Sequence, residues 1–179
     1  MKKSMIAAIV LSSLFSAQYA LAADTEEGTL QINGVVLPTT CKFTDGNSSA
    51  TITMAPVGKA QLAGLASAGQ TYTGYSNDAD APLKLKCEAN KTPTISFVTT
   101  GFDSNYPTIT TATGAASGVG YKLTLNGTPV IPREGFALVP NASGEYDLNF
   151  SAQYAITTAP GNIQAGDVHS TVVMQVNTD

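Results

Sequence analysis

The 179-residue chain holds few side chains able to carry acid, base or metal chemistry, and the first of them is a lone histidine, His169. A serine triad needs an imidazole beside the hydroxyl, and an imidazole-based zinc site needs more than one. His169 falls out of phase with the apolar alternation of Val168, Val172, Met174 and Val176, so it is expected to face away from the apolar surface. Asp103, Glu134, Glu145 and Asp147 could supply the carboxylate pair of a glycosidase, but each adjoins turn residues and no spacing favours any two of them. Asp78 and Asp80 share a loop without the further oxygen ligands, at regular offsets, that a calcium loop requires. The Asn-x-Ser/Thr sequons at Asn47, Asn90, Asn126 and Asn141 arise readily by chance in a Thr-rich chain. These residues give no catalytic, cofactor-binding or metal-binding set, and the expectation is a protein that is not an enzyme and has no cofactor.

The two cysteines, Cys41 and Cys87, are better read through the compartment the chain reaches. Lys2 and Lys3 precede an apolar run over 5–15, and Ala20-Leu21-Ala22 supplies small residues for cleavage. Residues 1–22 therefore read as a signal peptide, with cleavage after Ala23 as the runner-up. The run is shorter than the roughly 18 to 20 residues needed to span a bilayer. In an oxidising compartment two thiols with no third left over are expected to form one disulfide. Closing a loop of that length stabilises by roughly 4 kcal/mol. Losing the leader leaves seven Lys+Arg against 13 Asp+Glu, a net charge of −6. Without a basic cluster, nucleic acid is excluded as a partner.

The elements that must position these residues are strands. Charged residues make up 12% of the chain, about half the usual share, and turn formers are plentiful. Period-two alternation marks strands over 29–37, 49–54, 83–87, 94–100, 119–125, 145–156 and 167–177, separated by Gly-, Pro- and Asn-rich turns. Within 145–156, Tyr146, Leu148, Phe150, Ala152, Tyr154 and Ile156 share one face. Residues 59–68 have a weak claim to helix, and their glycine makes a short turn the better expectation. Many short strands without interleaved helices indicate one domain, an antiparallel Greek-key sandwich in the style of immunoglobulin domains. A sandwich that ends on a core strand leaves an apolar groove for something to fill.

Taken in order, the leader, Gly28-x5-Gly34-x6-Cys41 with Leu30, Ile32 and Val36, the second cysteine closing the 83–87 strand, and Phe150-x-Ala152-x-Tyr154 followed by Ala165-Gly166 and a final strand resemble the subunits of bacterial chaperone-usher fimbriae, in particular major rod pilins. The resemblance covers the whole chain. It implies an all-β, incomplete immunoglobulin-like sandwich lacking its last strand, completed by a donor strand from another subunit. On that reading 1–22 is the signal peptide, 23–37 the donor-strand extension with Leu30, Ile32, Gly34 and Val36 on its inserted side, and 38–179 the pilin domain. The acceptor groove and chaperone-facing strand would comprise Gly166, Val172, Met174, Val176 and Thr178. Implied partners are identical or related subunits in a head-to-tail polymer, a periplasmic chaperone, an outer-membrane usher and, for some members, a host receptor. The implied location is the bacterial surface. Many members carry tyrosine at the penultimate position, where this chain has Thr178, which points to a dedicated chaperone. A minor adaptor or tip subunit with receptor binding, and a self-contained exported binding domain, are the alternatives.

Overall fold

The computed structural model describes residues 28–35, 41–79 and 82–178. The leader and Val36 lie outside them. Twelve strands are present among the described residues: β1 (Gly28–Val35), β2 (Cys41–Phe43), β3 (Ser49–Met54), β4 (Asn77–Asp78), β5 (Leu83–Cys87), β6 (Pro93–Phe97), β7 (Val119–Leu125), β8 (Thr128–Pro129), β9 (Phe136–Ala137), β10 (Glu145–Leu148), β11 (Phe150–Ile156) and β12 (Val168–Thr178). One short helix, α1 (Lys59–Ala63), opens the segment where a turn is expected, and a turn follows it.

The strands form three open sheets ordered β3-β1-β12-β6-β9, β10-β5-β2 and β4-β11-β7-β8. Every ladder is antiparallel except that between β1 and β12, which is parallel and corrects the expectation of a wholly antiparallel sandwich. Alternation along β3 and β12 sends Ala50, Ile52 and Met54, and Val168, Val172, Met174 and Val176, into one continuous core with Tyr121, Leu123, Phe150 and Tyr154. Phe97 meets Phe150 edge-on at 6.2 Å between ring centroids, a favoured aromatic geometry inside that core.

The expected strand over 145–156 is two strands. Asn149 breaks it: its N–H donates to Asn126 Oδ1 (3.0 Å), and its carbonyl accepts from the Asn126 N–H (2.8 Å). β10 then pairs with β5, whereas β11 pairs with β7. The alternation continues through the break, so Tyr146, Leu148, Phe150, Ala152, Tyr154 and Ile156 are all buried while the chain changes sheet. Asn126 and Gly127 both have positive φ, 49° and 78°, as the two-residue turn between β7 and β8 requires. The expected strand over 94–100 stops at Phe97, and Thr99–Gly101 forms a 3-10 turn.

The expected disulfide is present, linking Cys41 to Cys87. The two residues are direct cross-strand partners on β2 and β5, so the bridge fastens the beginning of the sandwich to a strand near its middle.

Candidate functional site

The site is a slot in the first sheet, between β3 and β12, and in this structure the chain's own β1 lies in it. The backbone register sets Gly28, Leu30, Ile32 and Gly34 opposite Val168, Ser170, Val172 and Met174 of β12. On the other side Gly28, Leu30 and Ile32 lie opposite Met54, Ile52 and Ala50 of β3. All of these wall residues are buried, whereas Gln31 and its two partners, Thr171 and Thr51, are exposed. Residues 28–35 thus form the strand between β3 and β12, in cis, parallel to β12 and antiparallel to β3.

Of the other residues assigned to the groove, Val172, Met174 and Val176 are buried on β12. Thr178 is half-buried at the end of that strand, in register with Pro93. Gly166 precedes β12 with φ +149°, and a Cβ there would stand 2.7 Å from Ala115, so the close approach of segment 115–116 demands glycine. Beyond the Gly28 end of the slot, Gly166 and Val168 border a small apolar recess with Val57, Leu62, Val119, Tyr154 and Ile163.

The wall has one polar position that sequence reasoning missed, Ser170. Its hydroxyl donates to the Thr111 carbonyl (2.8 Å) and lies 2.9 Å from Thr110 Oγ1, which accepts from the Tyr121 N–H (3.0 Å). Ser170 and Thr110 are thereby satisfied although buried. Tyr121 OH donates to the Val168 carbonyl (2.9 Å), tying the floor of the core to the start of β12. Burial, and then the neighbouring Tyr154, push the Tyr121 phenol well above the ordinary tyrosine range. The main chain of His169 exchanges two hydrogen bonds with Thr113, each 2.7 Å. Segment 110–116 therefore supports the first half of β12, and β6 supports its second half. An alternation of Ala50, Ile52 and Met54 could have suggested the opposite wall; the pairing partner could not be read from it.

The residues weighed for catalysis are dispersed. The His169 side chain is exposed, as expected. Asp103 Oδ1 accepts from the N–H groups of Asn105 and Tyr106 (2.8 and 2.9 Å), capping a turn. Glu145 and Asp147 stand in register opposite Lys86 and Lys84, the opposite-charge pairing that supports a sheet. Asp147 Oδ2 also accepts from Asn141 Nδ2 (3.0 Å). Glu134 is exposed, Asp78 lies on β4, and Asp80 falls outside the described residues. Among the described residues no group of three or more His, Cys, Asp or Glu could hold a metal ion.

The pattern of a family described as "Fimbrial protein" matches residues 30–179. The chain is 32% identical to the uncharacterized fimbrial-like protein YehD of Escherichia coli (strain K12), over the full length of both. It also resembles the crystal structure of the Burkholderia pseudomallei antigen and type I fimbria protein BPSL1626, with a TM-score of 0.53, 26% identity, and coverage of 84% of this chain and 97% of that one. With the open sheets, the disulfide and the strand slot already in place, these matches settle the family: the chain belongs to the fimbrial proteins and is a subunit of bacterial surface fimbriae.

Proposed function

We propose that the mature chain, starting after Ala22, is a rod-forming subunit that polymerises by donor-strand exchange. Residues 23–37 serve as the donor extension and residues 38–179 as the acceptor domain. A periplasmic chaperone keeps the slot covered until, at an outer-membrane usher, the extension of the next subunit takes its place. The observation that carries this reading is the slot itself. A strand joined to the sandwich only through residues 36–40 completes the sheet between β3 and β12. The same segment from another copy would present the same residues to the same walls. A contact of this kind is head-to-tail, so it propagates as a filament and does not close on itself.

Such a joint needs no covalent bond. A seated strand of eight residues completes two backbone ladders, and two large apolar residues leaving water contribute roughly 3–6 kcal/mol before ordering costs. Removing the strand also exposes Ile52, Met54, Val172 and Met174, so separation is coupled to damage of the acceptor core and the joint is kinetically stable.

The test compares denaturant unfolding of the oxidised mature chain, a form lacking residues 23–36, and that shortened form with residues 29–37 appended after Asp179 through a flexible linker. The expected outcome is a monomeric appended form that unfolds cooperatively at much higher denaturant than the shortened one. A shortened form that is monomeric and equally stable would show a complete fold, and donor-strand exchange would be wrong.

A further inference from the structure

We propose that the concave surface around Arg133 binds an acidic saccharide, a sugar that carries a carboxylate. The site belongs to the body of the domain and does not depend on how neighbouring subunits join. Arg133 is the only arginine in the chain. It stands in the turn Ile131-Pro132-Arg133-Glu134, closed by the Glu134 N–H donating to the Ile131 carbonyl (3.2 Å). Proline followed by a residue at positive φ, here +69°, is the pattern of a type II turn, whose third position favours glycine. The other non-glycine residues at positive φ among the described residues are Asn90 and Asn126, and asparagine tolerates that region. The turn itself therefore gives no reason for an arginine, and the reason lies with its side chain. The Arg133 N–H donates to the Phe97 carbonyl (3.2 Å), which ties the turn to the end of β6. Among the described residues the guanidinium has no hydrogen bond or ion pair.

Arg133 borders two adjoining concavities, each of a size that small-ligand sites have. One, of about 490 Å³, takes apolar lining from Phe102, Pro107 and Ile131, and Asp103 stands on its wall. Ile131 is one of the few large apolar side chains exposed among the described residues. The other, of about 400 Å³, shares Thr99 and Arg133 with the first and continues past Ser96 and Gln175, with a more polar lining. Asp103 is held in place, since Oδ1 accepts from the Asn105 and Tyr106 N–H groups, and Oδ2 has no hydrogen bond among the described residues. These features together select the ligand. A guanidinium suits a carboxylate, with which it forms paired hydrogen bonds. Asp103 repels a bare anion in the same cavity, while its open oxygen can accept from a hydroxyl. The apolar lining fits the C–H face of a sugar ring. An inorganic anion, a neutral sugar and a hydrocarbon acid each fail one of these conditions, and an acidic saccharide meets them all.

Saturation-transfer difference NMR on the full mature chain tests the site, because it detects weak ligands whether the protein is monomeric or polymeric. The probes are glucuronic acid and N-acetylneuraminic acid, and the controls are glucose, sodium acetate and an acidic dipeptide. At least one acidic sugar is expected to bind, with every control weaker by about tenfold or more. Arg133→Gly removes the guanidinium and suits the turn, so it should weaken that sugar by about tenfold or more while the urea midpoint holds or rises. Asp103→Asn keeps the Oδ1 acceptor, and it should lower the preference for the acidic sugar over acetate; this variant decides the matter if the glycine variant misfolds. The proposal is overturned if neither acidic sugar receives saturation, if Arg133→Gly binds undiminished, or if Asp103→Asn leaves the preference unchanged. It is equally overturned if a control matches the acidic sugars: acetate would mark a simple anion site, and the dipeptide a peptide site.

Discussion

Replacing Tyr121 with phenylalanine isolates one hydroxyl at the junction of core and slot. The side chain is fully buried, and its O–H donates to the Val168 carbonyl at 2.9 Å. Phenylalanine fills the same space without the donor, so the cost is the lost bond at a buried acceptor, about 1–2 kcal/mol. At neutral pH this lowers the thermal midpoint by roughly 4 °C for a domain of this size. The phenol also links stability to pH. Its folded pKa lies above the unfolded value of about 10, so the stability it contributes is fully present below pH 10. As pH rises past that value only the unfolded state ionises, and the wild-type chain loses about 1.4 kcal/mol per pH unit on this account. Tyr121→Phe has no such proton to lose. The stability gap between the two proteins should therefore be largest near pH 7 and close by about pH 11. Urea titrations of both mature chains at a series of pH values measure it. A gap that stays constant from neutral to alkaline pH, or a phenylalanine variant as stable as wild type at pH 7, would refute the reasoning.

Asn126→Ala should destabilise by about 2–3 kcal/mol, because it removes the bonds to Asn149 and Asp147 and places alanine at positive φ; Asn126→Gly should recover only the backbone part, as urea midpoints would show. Cys41→Ser with Cys87→Ser should cost about 4 kcal/mol, measured against the oxidised parent in the same titration.

The parts of the fold legible in the sequence are those in which one local signal decides. Alternation located β3, β5, β7 and β12, and compartment with count located the disulfide. Asn149 was not legible, because period two records which face of a strand is buried and carries no mark of which neighbour pairs with it. β2, β4, β8 and β9 have two or three residues each, too few for any period to show. Ser170 was hidden for a related reason. A serine in an apolar series reads as an interruption until the Thr110–Thr111 segment, remote in sequence, is seen to take up its hydroxyl. The slot was expected from the resemblance, but its occupation by the chain's own residues 28–35, parallel to β12, depends on pairing energies between segments that sequence alone does not rank.

The disulfide also bears on how the molecule carries load. On the proposed donor-strand reading, where the N-terminal strand is lent to a neighbouring subunit, a pull on it reaches this sandwich at Cys41, the first residue of a strand three residues long. Its ladder to β5 is too short to resist a steady force by hydrogen bonds alone, and without the bridge β2 would peel away like the end of a tape. Because Cys41 is covalently joined to its own cross-strand partner, tension passes at once into β5, in the interior of its sheet between β10 and β2. In a filament joined by donated strands the bridge would therefore be a mechanical coupling as much as a thermodynamic one, moving the point of yield away from the root of the strand.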